Sequence, residues 1–418
     1  MSTSEAAAVG VAEGRWDWLK EPTRGQWLSF GAAWLGWVLD GFDFCIYLMV
    51  MPKIAQEFGL KQSEVSVALT YTMLTRLIGG LLAGVAADRW GRRLPLMLSI
   101  VWFALCNGAI GLPGSTWTAV LLLRALFGLG MGAEWTAGAT LAMESWPQRS
   151  RGFASGVLQG SWGVGAILAA VAFWTLEPRF GWRSLFLVGA IPALLVLPIR
   201  IWVPESPEWL ARKGLPKEAK PKVSLRGMAP ALVWGSLAMV VVFSGYYAVA
   251  GQYPSFLGKA QLGMTSEEVG KHTVLLNLGM LTGGALCGWM MMRFGIRTAM
   301  TAMMVGALLF IPLLLGYGPG WLMVGAYLGG TFGIGFTGVS PILVTRLYPA
   351  DVRARAAGIV YHVGAIGSAN VAWGVAKLAE VTGRPLSWAI WVSAAVVEVA
   401  IILCFWLQPK SAQLDPAG

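Results

Sequence analysis

Twelve long apolar stretches divide the chain, each near the roughly 20 residues a helix needs to cross a bilayer's hydrocarbon core. They cover about 27–52, 65–87, 94–112, 117–143, 152–175, 183–203, 229–257, 269–292, 298–316, 320–345, 354–376 and 386–407 of the 418 residues. In lipid a backbone must satisfy its own hydrogen bonds, so runs of this length fold as helices. Only 12% of residues are charged, about half the roughly 25% usual in a soluble domain. The expected class is an all-α membrane protein with twelve transmembrane helices.

The net charge of +10 does not indicate a nucleic-acid partner. The basic residues are dispersed in short clusters between apolar runs and form no single face. Orientation follows from where they fall. The N-terminal tail, the loops after the even-numbered helices and the C-terminal tail hold most of the Lys and Arg. The opposite loops hold only Lys53, Lys61, Arg179, Arg183, Lys259, Lys271, Lys377 and Arg384. By the positive-inside rule both termini are cytoplasmic. The N-terminus is polar and lacks the apolar core of a cleavable signal. Cys45, Cys106, Cys287 and Cys404 lie inside apolar runs without metal-ligand or disulfide spacing. The layout is then a cytoplasmic tail (1–26), a six-helix bundle (27–203), a cytoplasmic linker (204–228), a second six-helix bundle (229–407) and a cytoplasmic tail (408–418).

The two halves resemble each other. "GVAADRWGRR" at 84–93 aligns with "GWMMMRFGIR" at 288–297, and "RGFASG" at 151–156 with "RARAAG" at 353–358. The loops before the second pair, "ESWPQRS" and "RLYPADV", place a proline in register. A duplicated six-helix unit is the mark of a secondary transporter whose site lies between the halves near the membrane midplane.

"GVAADRWGRR" resembles the Gly-x-x-x-Asp-Arg-x-Gly-Arg-Arg loop of the major facilitator superfamily, and "PESPEWL" after helix 6 resembles that superfamily's Pro-Glu-Ser-Pro segment. Within it, "LDGFDF", "RLIGG" and "RALFGLGMGAEW" look like bacterial proton-coupled organic-acid symporters, nearest the sialate and monocarboxylate group and related to the aromatic-acid symporters. The resemblance implies two pseudo-symmetric six-helix bundles in the bacterial inner membrane. It also implies a conformational latch in the first-half loop, Gly84, Asp88, Arg89, Gly91, Arg92 and Arg93, with Glu144 and Arg151. The second half departs from this pattern: Met292 stands opposite Asp88, and Arg346 opposite Glu144.

The buried ionisable residues carry the functional reading. Asp40 and Asp43 are three apart and share a helix face. Asp40 lies roughly 20 Å into helix 1, near the middle of a ~30 Å core. A carboxylate there either pairs with a cation or takes up a proton; proton coupling uses the second option, and Asp43 is preferred of the two because extracellular protons reach it first. Glu134 is a third buried acid, near mid-depth on a glycine-rich helix; it too is a proton-coupling candidate, or else a hydrogen-bonded packing residue. Arg76 is the first choice for a substrate carboxylate, since guanidinium matches carboxylate bidentately. Arg124 is the alternative, or a structural partner of Asp43. Gln159, Tyr246, Tyr247, Gln252, Asn277, Tyr361, His362 and Asn370 complete the candidate pocket, with Trp135 and Trp162 beside it.

These features predict a secondary active transporter working by alternating access, importing an organic acid anion such as lactate with protons. Protons serve as the coupling ion; no other cofactor or metal is expected, and the protein would function as a monomer. The alternatives are a sialic-acid or aromatic-acid symporter, a proton-driven drug exporter, and a membrane sensor. No nucleotide loop, metal cluster or nucleophile motif supports an enzyme.

Overall fold

The computed structural model describes residues 20–191, 194, 196–216, 224–258, 261–316 and 318–409. Most of both expected tails, and part of the linker, lie outside the described residues.

Among these residues the regular structure is helical. The first half comprises α1 (Arg24–Phe58), α2 (Gln62–Trp90), α3 (Arg93–Gly111), α4 (Trp117–Ser145), α5 (Arg151–Phe180), α6 (Arg183–Gly189) and α7 (Val196–Trp202). A short linker helix, α8 (Pro207–Lys213), follows. The second half comprises α9 (Ala229–Ala250), α10 (Tyr253–Leu257), α11 (Ser266–Phe294), α12 (Ile296–Gly316), α13 (Gly318–Gly333), α14 (Ser340–Arg346), α15 (Arg353–Gly367), α16 (Val371–Thr382) and α17 (Leu386–Trp406). Among the described residues, 11 helical segments are long and apolar enough to cross a membrane. The sixth expected span corresponds to α6 and α7, between which residues 192, 193 and 195 are not described.

Local chemistry sets the helix ends. Thr23 and Gln26 form a capping box at the start of α1, and Thr265 and Glu268 do the same for α11. α2 and α11 both end on a glycine with positive φ, Gly91 at 101° and Gly295 at 80°, a conformation that favours glycine. These glycines occupy equivalent positions in the two halves. A second equivalent pair confirms the duplication: Arg151 Nε donates to the Trp146 carbonyl at 3.0 Å, and Arg353 Nε to the Tyr348 carbonyl at 3.0 Å.

Several second-half spans are broken. α13 passes into α14 through a 3₁₀ segment, Gly335–Val339, and α15 gives way to α16 around Ser368–Asn370. Interrupted helices persist at membrane depth where protein buries them or a cavity takes the freed backbone groups. The halves meet chiefly where α5 packs on α11 and α2 on α15. The largest buried cluster draws on both, joining Phe30, Trp37 and Trp135 to Phe243, Phe336 and Tyr361. Large apolar side chains such as Leu98, Leu105, Leu309 and Val396 point outward and are more than half exposed, as a lipid-facing surface requires.

Candidate binding site between the halves

A cavity lies where the two halves face each other. Its first-half wall is Trp37 and Phe44 of α1, Met73 and Arg76 of α2, and Gln159 and Trp162 of α5. The second half contributes Phe243, Tyr246 and Tyr247 of α9, Met280 of α11, Thr337, and Tyr361 and Ala365 of α15. Its open space is narrow, about 40 Å³ for the centre of a water-sized sphere, enough for a few waters. An organic ligand would need the walls to part.

Arg76 is the cation of this cavity. Its guanidinium carbon lies 5.5 Å from the ring centres of both Trp37 and Tyr361, a cation–π arrangement bridging the halves. Among the described residues its Nε and Nη2 find no hydrogen-bond partner, nor do Gln159 Oε1, Trp37 Nε1 and Thr337 Oγ1. Tyr361 is held from behind by Trp135, stacked at 3.3 Å between ring centres. Donors and acceptors from both halves therefore surround one space, with aromatic faces between them.

Asp40 and Glu134 lie behind Arg76. Glu134 fills the space that a side chain at Gly36, one turn from Asp40, would need. The two carboxyl groups are neighbours that influence each other, and Arg76 acts electrostatically on both. None of their four oxygens has a hydrogen-bond partner among the described residues. Asp43 points elsewhere, toward Asn107 of α3 and Gly189 of α6. The three-residue spacing puts the acids on one face, but the pair that forms is between helices, Asp40 with Glu134.

The other sequence candidates fall outside the cavity lining. Arg124 is fully buried, but its guanidinium lies over the rings of Tyr47 and Phe127, at 4.5 and 4.3 Å. Among the described residues its three side-chain nitrogens find no hydrogen-bond partner, so the expected Asp43 pairing is not a direct one. His362 is a buckle between the halves: its Nε2 contacts the Gly132 carbonyl of α4 at 3.2 Å and Thr136 Oγ1 at 3.4 Å. Asn277 donates to the Thr273 carbonyl and lines a second, larger and mostly apolar cavity of about 460 Å³. Gln252 donates to the Ala372 carbonyl, and Asn370 is exposed at the start of α16. Trp162 and Tyr246 border both cavities and form the partition between them.

On the side carrying α8, the halves are tied by charge. Asp88 accepts from Arg355 Nε at 2.9 Å and from the backbone N–H groups of Ala354 and Arg355 at 3.3 Å each, an anion at the start of α15. Glu144 is gripped by Arg92 through two bonds of 2.8 and 2.9 Å, and by Arg353 at 3.0 Å. The linker helix completes the tie. Its Glu208 binds Arg151 of the first half at 3.1 Å and also Arg353 of the second. Its Arg212 binds Asp351 at 3.2 Å and also the Asp88 carbonyl. Ser206 donates to Glu144 at 2.5 Å, and Glu205 accepts the N–H groups of Arg92 and Arg93. Gly84 packs so closely that a Cβ there would lie 2.7 Å from Arg355 Cα. Arg93 donates to the Val203 carbonyl at 2.9 Å, and Gly91 abuts Glu205. Arg89 does not join this network: it is exposed and lies against Trp90.

Sequence reasoning assigned no role to Glu208, Arg212, Arg353 or Arg355, although "PESPEWL" and "RARAAG" both stood out. A buried acid of α17, Glu398, was also passed over; both its oxygens lack hydrogen-bond partners among the described residues.

Asp88→Asn should loosen this closure. A hydrogen bond to a charged group contributes about 1.5–3 kcal/mol, so the population open on the linker side should rise roughly ten- to a hundred-fold. Labelling of a cysteine introduced at Thr136, in a background without the native cysteines, reads this directly; an unchanged labelling rate would remove Asp88 from the latch.

Comparison with known proteins agrees with this architecture. A family model described as "Major Facilitator Superfamily" matches residues 33–265. The chain is 29% identical to the sialic acid transporter NanX of Escherichia coli over 84% of this chain and 86% of the relative. It is 31% identical to a probable 4-methylmuconolactone transporter of Cupriavidus pinatubonensis, over 85% and 84%. With the cis,cis-muconate transport protein of Acinetobacter baylyi it shares 29% identity over 93% and 95%. Its fold matches that of the proton:xylose symporter XylE with a TM-score of 0.76, at 19% identity, covering 93% of this chain and 97% of the other. The duplicated bundles, the motif loop and this match over more than half of the chain make the protein a member of the Major Facilitator Superfamily, a multi-pass membrane transporter and not an enzyme.

Proposed function

We propose that the protein imports an organic acid anion with protons across the bacterial inner membrane by alternating access, both termini facing the cytoplasm. The observation that carries this reading is Arg76: a buried cation with unsatisfied donors, facing the space between the halves beside a pair of buried carboxyls. A cation there suits an anionic substrate and disfavours a cationic drug. The linker-side ion pairs then form the cytoplasmic closure, and the apolar cavity beyond Trp162 and Tyr246 the outer approach.

The cavity lining favours a flat, unsaturated or aromatic carboxylate over lactate. Aromatic side chains from both halves line it, and their faces stack on π-systems; lactate would offer them nothing. Curated relatives named for transport of muconate, niacin and 4-hydroxybenzoate fit the same chemistry. Proteoliposomes with an imposed pH gradient, acid outside, test the reading. Labelled muconate, nicotinate, 4-hydroxybenzoate, sialate and lactate are offered in parallel. Accumulation of none of them, or accumulation indifferent to the gradient, would overturn it.

Trp162→Ala joins the two cavities. It should raise the rate of gradient-independent exchange and lower substrate affinity by roughly tenfold through lost stacking. Exchange and binding assays on one preparation separate these effects, and unchanged values for both would show that Trp162 is not the partition.

A further inference from the structure

We propose that the protein carries a built site for an anionic phospholipid on the outer face of its first half, with Arg89 holding the headgroup phosphate and a groove between α2, α3 and α4 holding an acyl chain. Arg89 belongs to the first-half motif but takes no part in the latch. It makes no hydrogen bond or ion pair with a described residue, and its guanidinium carbon lies 5.6 Å from the ring centre of Trp90. Trp90 is 58% exposed and forms one end of a groove of about 530 Å³.

The groove is made for hydrocarbon. Its floor is small, with Ala86, Gly130 and Ala133, and its rims are large, with Val85, Leu98 and Trp102. The polar groups along it are already satisfied: Ser99 donates to the Leu96 carbonyl at 2.8 Å, and Trp102 Nε1 to the Leu126 carbonyl at 2.8 Å. From Gly79 to Trp90, α2 advances about 16 Å, the length of a substantial part of a lipid tail.

Charge selects the headgroup. Of the acids adjoining this loop, Asp88 is paired with Arg355, and Glu205 turns its oxygens to the backbone N–H groups of Arg92, Arg93 and Ser206. One uncommitted guanidinium therefore lies at the mouth of an apolar groove at the helix end, where a phospholipid phosphate would reach it. A basic residue near an anionic headgroup is a recognised source of lipid preference. The groove lies on α2 and α4, the helices that carry Arg76 and Glu134, so a lipid there would stiffen the scaffold of the central site.

The test uses full-length protein, delipidated in detergent and titrated with dioleoylphosphatidylglycerol or dioleoylphosphatidylcholine, with apparent melting temperature as readout; a ligand that binds only the native state raises it. In wild type the anionic lipid should stabilise saturably and at about fivefold lower concentration than the zwitterionic one. Arg89→Gln should make the two titrations superpose, and Arg89→Lys should keep most of the difference. Ala86→Phe, which fills the groove, should abolish the response to both lipids; Ala133→Leu serves if that variant does not fold. Superposed titrations in wild type, or an undiminished preference in Arg89→Gln, would overturn the proposal. So would lipid-insensitive protein whose Ala86→Phe variant changes from dimer to monomer, since a second copy of the chain would then occupy the groove.

Discussion

Arg76→Lys is expected to weaken substrate binding by more than about tenfold, or about 1.4 kcal/mol, while leaving the protein folded. Lysine keeps the charge but loses the planar fork. In the structure that plane serves two purposes. It lies against Trp37 and Tyr361, one ring from each half, and it presents Nε and Nη2 without hydrogen-bond partners among the described residues. An ammonium group can be attracted to the rings, but it cannot offer a carboxylate two parallel N–H groups from one rigid plane. Arg76→Ala should cost more, because it also removes a cation from the neighbourhood of Asp40 and Glu134. Binding of a transported acid to purified wild type and Arg76→Lys, measured by calorimetry at fixed pH, decides the matter. Equal affinities would make Arg76 a structural bridge between the halves and move the substrate contact to another residue.

Much of the architecture was legible because membrane folding writes long signals. A span needs many apolar residues, so α1 to α5 stand out even where their ends are uncertain. The duplication was equally visible, and Gly91 with Gly295, and Arg151 with Arg353, show why: both copies keep the same turn and the same arginine-to-carbonyl bond. Helical rise alone gives Asp40, Arg76 and Glu134 a similar expected depth, and the structure makes the three neighbours.

Direction within a layer was not legible. Asp40 and Asp43 are one turn apart, and only packing shows that Asp40 meets Glu134 while Asp43 faces Asn107 and Gly189. Arg124 is as buried as Arg76, but aromatic faces enclose it. His362 reads in sequence as a pocket residue; in the structure its Nε2 joins α15 to α4 outside the cavity lining. The linker's role was hidden for another reason. Glu208 and Arg212 act only by touching both halves at once, a contact between segments far apart in the chain. Glu398 carries the same signal as "LDGFDF", an acid inside an apolar run, and could have been found by it.

Loss of the Asp40–Glu134 pair should uncouple transport from protons. Two carboxyls in contact cannot both ionise, so the pair holds at least one proton. Arg76 is the cation that faces the pair. A substrate carboxylate arriving at Arg76 takes up that positive charge, and the pair then gains a further proton. Substrate and proton therefore favour each other, and the coupling is reciprocal. The energetic return is direct: moving an anion inward against a negative interior costs about 2.3 kcal/mol per charge per 100 mV, which one proton cancels and a second reverses. The sign of the pH effect follows. Wild-type affinity should rise as pH falls, by up to about tenfold per pH unit for each proton taken up with the substrate. In Asp40→Asn with Glu134→Gln the affinity should become independent of pH. Uptake driven by a pH gradient should disappear, while exchange of labelled for unlabelled substrate, which needs no net proton movement, continues. Exchange also controls for folding, because a collapsed protein would lose both activities. If the double variant still accumulates substrate down a proton gradient, the pair is not the coupling site, and Asp43 and Glu398 are the buried acids left to carry it.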